Sequence, residues 1–190
     1  MLPTVKYKFQ RLIARARNFR RDEDGATAVE FTILLVPFSA LIFAIIELGI
    51  VFFIQVTMAH ALQSAAREIR TGQFQTAGGA AAEFKQVVCE KMAGLGSCSN
   101  LRIDVVTSPT NRFEADMLPP TQTSDPGNPD APPPMPADEY TTTGPRVVAV
   151  VRAQYYHNLT FPGQYTRLAN ASGNVRILQS VTAFRTEPYS

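Results

Sequence analysis

The sequence predicts an α+β protein in which a long N-terminal helix, partly transmembrane, packs against a small antiparallel sheet. Three observations predict this fold. An apolar run begins at residue 26 and keeps a helical composition to about residue 70. Three later segments alternate or cluster β-branched residues in the manner of strands. Ten of the 14 prolines fall between the first two of these segments. The 190 residues leave room for one modest folded domain beside an anchor.

Residues 1–25 form a basic leader. Residues 1–24 hold seven Lys or Arg against three Asp or Glu. Basic residues close to one end of a spanning helix keep that end in the cytoplasm, so we expect residues 71–190 to face the periplasm or the cell exterior. The net charge of the whole chain is only +2, which is too small to indicate binding to nucleic acid.

Residues 26–70 are predicted to form one continuous helix. About 20 apolar residues span a bilayer, and the first part of this segment exceeds that length. Its polar exceptions up to residue 54 are Glu30, Thr32, Ser39 and Glu47. The whole helix would be ~65 Å long at 1.5 Å per residue, so its outer half leaves the membrane. That half is expected to pack on the folded domain through the stripe Val56, Ala59, Leu62 and Ala66. Thr71 and Gly72 mark the end of the helix.

Three positions within this helix are assigned to bending and packing: Pro37, Glu47 and Gly49. Pro37 removes a backbone donor and clashes with the preceding turn, so a kink or local melting is expected. Either the membrane simply tolerates this proline, or the bend lets subunits stack. Glu47 either reaches the outer headgroup region or pairs with a partner helix inside the membrane.

Residues 71–190 are predicted to form the periplasmic α+β domain. Ala81 to Met92 is expected to be a short helix with Phe84, Val87 and Val88 on one side. Cys89 lies in that helix and Cys98 follows a glycine-containing turn, and a disulfide between them would persist outside the cytoplasm. A metal site or a reactive thiol is the alternative, although further ligands are missing nearby.

Three segments are predicted strands: 101–105, 147–156 and 175–184. The first alternates with period two, so one face is expected to be buried and the other wet. The Pro-rich loop, residues 107–145, separates the first two and is expected to be extended, to bury little and to be dispensable for folding. A solvated sheet face is expected to carry Arg146, Arg152, Arg176 and Arg185.

A short motif joins the leader to the apolar run. It consists of Gly25, Ala26, Glu30 and Phe31, with small residues between. A carboxylate at mid-bilayer costs ~2.5–3.5 kcal/mol on insertion scales. A carboxylate at position 30 is therefore expected to have a function. A small residue followed at a fixed distance by Glu-Phe is the arrangement that a prepilin peptidase reads. Cleavage between Gly25 and Ala26 would make Glu30 the fifth residue of the mature chain.

These residues together resemble a known family. The motif around Gly25, then Pro37, then residues 46–49 and then residues 65–67 is similar to TadE-like minor pseudopilins of tight-adherence (Tad, Flp-type) pilus systems. The resemblance covers roughly residues 25–70, and residues 70–73, the cysteine pair and residues 184–189 are similar to TadE-type proteins too. The major pilins of these systems usually have tyrosine where this chain has Phe31, which favours a minor subunit.

The resemblance implies a pilin-like subunit in the bacterial inner membrane, crossing it once, that a prepilin peptidase processes. Its implied partners are other Tad pilus subunits, inner-membrane assembly proteins and membrane lipid, and its implied function is pilus biogenesis and surface adhesion. An uncleaved, single-pass anchored periplasmic binding or adhesion module is the alternative.

No enzymatic chemistry is expected. The sequence has no Gly-rich phosphate loop, no spaced metal cluster and no nucleophile–base pair, so we expect neither cofactor nor metal. The two histidines, His60 and His157, are expected to be structural or exposed. The functional residues are instead expected to be the peptidase substrate site and the packing groups of the helix.

Overall fold

A computed structural model describes residues 23–114 and 117–189. The predicted basic leader over residues 1–22 therefore lies outside the described residues. The chain divides into two compact units, residues 1–45 and 46–190. The described part of the first unit is helical, and the second unit contains the sheet and its covering elements.

The described elements confirm the α+β class. The helices are α1 (Glu23–Arg70), α2 (Gln73–Thr76), α3 (Ala81–Lys91) and α4 (Gly163–Thr166), and a 3₁₀ turn spans Cys98–Asn100. The strands are β1 (Leu101–Thr107), β2 (Glu139–Tyr140), β3 (Val148–Asn158) and β4 (Val175–Arg185). The three predicted strands correspond to β1, β3 and β4.

The sheet is mixed rather than purely antiparallel. Its strand order is β2-β1-β3-β4, and β1 pairs in parallel with β2. The amide of Thr141 donates to the carbonyl of Val105 at 2.7 Å, and the amide of Ile103 donates to the Asp138 carboxylate at 2.9 Å. β2 lies inside the Pro-rich loop and has only two residues, so no alternation could reveal it.

One face of the sheet packs against α1. The buried apolar stripe of α1 within the second unit is Val51, Ile54, Met58, Ala61, Leu62, Ala65, Ala66 and Ile69. Apart from Ala66, it joins a single core cluster with Leu101, Ile103, Val105, Val151, Ala153, Tyr155 and Leu178 of the sheet and with Phe84 and Val88 of α3. The predicted stripe was partly wrong, because Val56 is 39% exposed. The observed stripe follows the i, i+3, i+4, i+7 spacing more closely.

The end of α1 is fixed from far along the chain. The helix stops at Arg70, and Gly72 adopts a left-handed conformation with φ of 80°. A Cβ on Gly72 would lie 2.3 Å from the ring of Tyr189, so only glycine fits there. Tyr189 in turn donates its hydroxyl to the carbonyl of Thr143 at 2.8 Å. The predicted end of the helix at residues 71–72 is thus confirmed, with Tyr189 packed over it.

The opposite face of the sheet carries a buried charge cluster. Asp104 is fully buried and lies between two arginines, each no more than 4% exposed. Arg102 contacts it at 2.8 Å, and the Nε of Arg152 donates to its second oxygen at 2.7 Å. The solvated face expected for the strand arginines is therefore wrong for Arg152, and the wet face expected for β1 is wrong as well.

The Pro-rich loop covers this cluster. Arg152 donates to the carbonyl of Pro119 at 2.6 Å, and Gln154 donates to the Thr121 hydroxyl at 2.6 Å. Further along the loop, the carbonyl of Thr123 accepts from the amide of Ser172 at 2.8 Å. Most described side chains of residues 107–145 are exposed, so the expectation that the loop buries little is confirmed, while its dispensability for folding stays a prediction. Backbone carbonyls and hydroxyls, rather than apolar side chains, attach the loop, and composition does not reveal that.

Replacing Asp104 with Ala should destabilise the second unit strongly. The change leaves Arg102 and Arg152 buried without their carboxylate, and breaking a buried ion pair in this way costs about 3–5 kcal/mol. The free energy of unfolding, from a urea titration of the full chain in detergent micelles followed by tyrosine circular dichroism, measures the loss. Asp130→Ala, at an exposed position of the Pro-rich loop, is the matched control. A loss in Asp104→Ala no larger than in this control would contradict the role of the cluster.

Candidate functional site

The first turns of α1 contain the predicted processing motif. Gly25, Glu30 and Phe31 are all exposed, with Phe31 at 63%. A Cβ added at Gly25 would meet nothing within 4 Å. The described structure therefore gives no packing reason for glycine at this position. Such a reason can come from a protein that binds this segment.

The helix beyond this motif presents an apolar surface. Its exposed large hydrophobic residues include Val29, Ile33, Leu34, Val36, Phe38, Leu41, Phe43, Ile45, Phe52 and Phe53. Two hydroxyls on this stretch bond within the helix, from Thr32 to the carbonyl of Ala28 at 2.7 Å and from Thr57 to that of Phe53 at 2.8 Å. In a hydrocarbon environment, polar groups must form their hydrogen bonds within the protein. By length and composition, α1 is able to cross a membrane.

Pro37 and Gly49 both lie within the assigned helix. The helix α1 is continuous through Pro37, so the chain does not melt locally there. The alternative expectation of a kink stays a prediction. Gly49 is exposed, and a Cβ there would meet nothing within 4 Å. Pro37 is exposed as well.

Glu47 makes a contact within its own chain that the sequence did not predict, and its position relative to the headgroups or a partner helix stays a prediction. Its side chain is only 5% exposed. The carboxylate accepts hydrogen bonds from the backbone amides of Thr160 and Phe161, the latter at 3.1 Å to Oε2 and 3.3 Å to Oε1. Charge-assisted bonds of this kind are about twice as strong as neutral ones. Glu47 thus fixes the connection between β3 and β4 to the helix of its own chain.

The loop that Glu47 binds is held in shape by Asn174. The Asn174 side chain donates to the carbonyls of Leu159 at 2.8 Å and Phe161 at 3.2 Å, and accepts from the amide of Gly163 at 2.5 Å. The amide of Leu159 donates to the Asn174 carbonyl at 3.0 Å. The two amides that face Glu47 are therefore preorganised by contacts on the other side of the loop.

His157 lies near this contact, at the end of β3. Burial lowers the pKa of His157, and the neighbouring Glu47 carboxylate raises it in partial compensation. The imidazole stacks on Tyr155 with ring centroids 6.4 Å apart. His60 is exposed on α1.

Cys89 and Cys98 are joined by a disulfide. The bridge ties α3 to the 3₁₀ turn that leads into β1. Next to it, the amide of Ser97 donates to the Tyr155 hydroxyl at 2.9 Å. Within the described part of the chain, no group of three or more His, Cys, Asp or Glu side chains is arranged to hold a metal ion.

The predicted site residues thus have different surroundings, and Pro37 and Gly49 are exposed on α1. Gly25, Glu30 and Phe31 lie on the exposed start of α1, Glu47 binds the β3–β4 connection, and the cysteines brace α3. The side chain of Ala26 is not among those described. Sequence reasoning missed Thr160 and Phe161, because backbone donors carry no residue signature. It missed Asn174 because the loop groups that its side chain bonds come together only in the folded chain.

Comparison with known proteins gives one family. Residues 25–67 match the family model described as TadE-like protein, which confirms the resemblance for this segment and indicates a component associated with Tad pili. No curated protein and no solved structure matches the chain significantly. The matched residues are those that run from the processing motif to the last turn of α1.

Replacing Glu47 with Ala should release the β3–β4 connection. The amides of Thr160 and Phe161 would lose their buried acceptor, and an unsatisfied buried group costs about 1–3 kcal/mol. Hydrogen exchange at these two amides should accelerate by about 5- to 150-fold at that cost, as measured by NMR on the full chain in micelles. Glu90→Ala is the control, since the exposed Glu90 side chain accepts a hydrogen bond from Gln86 on the surface of α3. Unchanged exchange in Glu47→Ala would show that the carboxylate does not hold the loop.

Proposed function

We propose that this chain is a minor pseudopilin of a Tad-type (Flp) pilus. It is a structural subunit, not an enzyme, and it acts in pilus biogenesis and surface adhesion. One observation carries the proposal: the TadE-like match over residues 25–67 coincides with the exposed motif and apolar helix that a pilin-type subunit needs. The chain crosses the inner membrane once, with its N-terminus in the cytoplasm and residues 71–190 in the periplasm.

The first functional step in this proposal is cleavage between Gly25 and Ala26 by a prepilin peptidase. Gly25 fits a narrow peptidase site because it has no side chain, and its surroundings in the fold are open. The basic leader keeps the scissile bond on the cytoplasmic side. Cleavage leaves a free ammonium group on Ala26.

The second step is recognition of another subunit through Glu30. Glu30 is exposed about one helical turn beyond the new N-terminus. In a bilayer, neither a lone ammonium nor a lone carboxylate is well tolerated, while a pair of them is far less costly. The carboxylate of one subunit and the ammonium of another therefore set the stagger between neighbouring helices.

Replacing Gly25 with Leu should leave an uncut precursor, because the larger side chain blocks the peptidase. Intact-mass analysis of membrane protein from the native host should find wild type beginning at Ala26 and Gly25→Leu beginning at Met1. Gly49→Leu is the matched control, since Gly49 is an equally open helical glycine, and it should be processed normally. Wild type that still begins at Met1 would instead support the uncleaved, anchored module.

Replacing Glu30 with Gln should separate processing from assembly. The variant keeps the shape of the side chain but removes its charge, so cleavage should largely survive while piliation falls. Intact mass reports cleavage, and pili counted by electron microscopy report assembly. Glu90→Gln, at an exposed position of α3, controls for the loss of one carboxylate. Normal piliation in Glu30→Gln would rule out the charge pairing.

A further inference from the structure

Strand β4 lies at the edge of the sheet; among the described residues it pairs along its length with β3, and Ala171 adds one isolated bridge to Val175. In an antiparallel pair, the backbone groups of alternate residues point away from the partner strand. The amide and the carbonyl of Ile177 both bond the side chain of Asn170, at 2.7 and 2.9 Å. Residues of β4 that are an even number of positions from Ile177 therefore direct their backbone groups outward.

The first half of this outer edge is capped. The carbonyl of Val175 accepts from the amides of Asn170 and Ala171, both at 3.2 Å. The carbonyl of Gln179 accepts from the side chain of Gln55 at 2.9 Å. These side chains and loop residues occupy the positions that an added strand would need, so this half of β4 is closed.

The second half of the edge is open. Among the described residues, no group bonds the outward amides and carbonyls of Val181 and Ala183. Both side chains are exposed, with Val181 at 46%. Such an edge is a template for strand pairing unless it is covered or charged, and no proline or bulge protects these two residues.

A basic groove runs between this open edge and α1. It encloses about 570 Å³. Its lining includes Gln63, Ala66, Arg67 and Arg70 of α1 and Thr182, Ala183 and Phe184 of β4. Arg70 pairs with Glu187 at 3.5 Å, and Arg67 is exposed and has no ion-pair partner among the described residues. The groove thus has an uncompensated guanidinium beside unpaired backbone groups.

We propose that Val181–Arg185 and this groove bind an extended, acidic segment of a partner protein by strand addition. The unpaired backbone groups of β4 would supply the ladder, and side-chain pockets would supply specificity. Because side chains alternate across a strand, the partner's acidic residues would face Arg67, and its apolar residues would lie beside Val181 and Ala183. Pairing with a second copy of this chain would instead bring two sets of Arg67 and Arg70 together.

None of Gly25, Glu30 and Glu47 is among the residues that line this groove, so the proposal goes beyond the pseudopilin assignment and does not rest on it. Hydrogen exchange tests its first requirement on the full chain in micelles. The amides of Val181 and Ala183 should exchange far faster than the amide of Ile177, which Asn170 holds. Equal protection at all three positions would show that the edge is already occupied and would overturn the proposal.

Peptide binding tests whether the segment that pairs with β4 is acidic. Fluorescence anisotropy of the labelled peptide TVEVEVT, titrated with the full chain in micelles, should show saturable binding that protects the amides of Val181 and Ala183. The charge-reversed peptide TVKVKVT should bind at least about tenfold more weakly, because its lysines meet Arg67. The peptide TVEPEVT, whose proline lacks a ladder donor, should also bind more weakly.

Charge exchange between protein and peptide locates the contact. The Arg67→Glu variant should have about tenfold lower affinity than wild type for TVEVEVT and a higher affinity for TVKVKVT. Arg112→Glu, at an exposed arginine outside the groove, should leave both affinities unchanged. No saturable binding of TVEVEVT below about 1 mM, or equal losses in both variants, would overturn the proposal. A dimer that Ala183→Pro converts to a monomer would overturn it too, since the edge would then belong to a second copy.

Discussion

The packing of α1 on the sheet is the interaction on which the second unit depends. Met58, Leu62 and Ile69 are completely buried against β1, β3 and α3. Over the described residues the sheet has four strands, one of them two residues long, so its apolar face needs a helix to cover it. Burial of Leu-sized side chains is worth about 1.5–3 kcal/mol each. One helix thus carries both an exposed apolar surface and the core of the folded unit.

Glu47 marks the point where these two roles of α1 meet. On its N-terminal side the described large apolar side chains are exposed, and on its C-terminal side the buried stripe begins at Val51. A carboxylate near hydrocarbon is costly unless donors surround it, and the amides of Thr160 and Phe161 are those donors. Because these two loop amides bond the carboxylate, they no longer need water as a hydrogen-bond acceptor. Asn174 holds the same loop from the other side, so the carboxylate meets donors that are already in place.

Sequence reasoning predicted the elements that carry a periodic pattern. The long helix, α3 and the strands β1, β3 and β4 all follow from apolar spacing. It could not predict β2, the burial of Arg102, Asp104 and Arg152, or the partners of Glu47. β2, the Pro119 carbonyl that binds Arg152 and the partners of Glu47 are backbone groups, which every residue offers. Arg102 and Asp104 are buried through a side-chain ion pair that tertiary structure covers and no periodic pattern marks. The Pro-rich loop shows the difference, because its composition resembles an exposed linker while the carbonyl of Pro119 accepts from a buried arginine. Of the candidate site, the motif at Gly25 was visible and the loop bound by Glu47 was not.

The placement of Tyr189 over Gly72 has a consequence for biosynthesis. A chain is made from its N-terminus, so α1 is complete and available to the membrane long before Tyr189 leaves the ribosome. Until β3 and β4 follow, the apolar side chains of α1 and α3 that face the core, such as Met58 and Phe84, have no sheet to cover them. Partly made chains that expose such surface are prone to aggregate. The nascent protein therefore passes through a stage in which α1 is complete while the core side chains are still exposed to solvent. A chaperone that binds exposed apolar side chains would act at that stage.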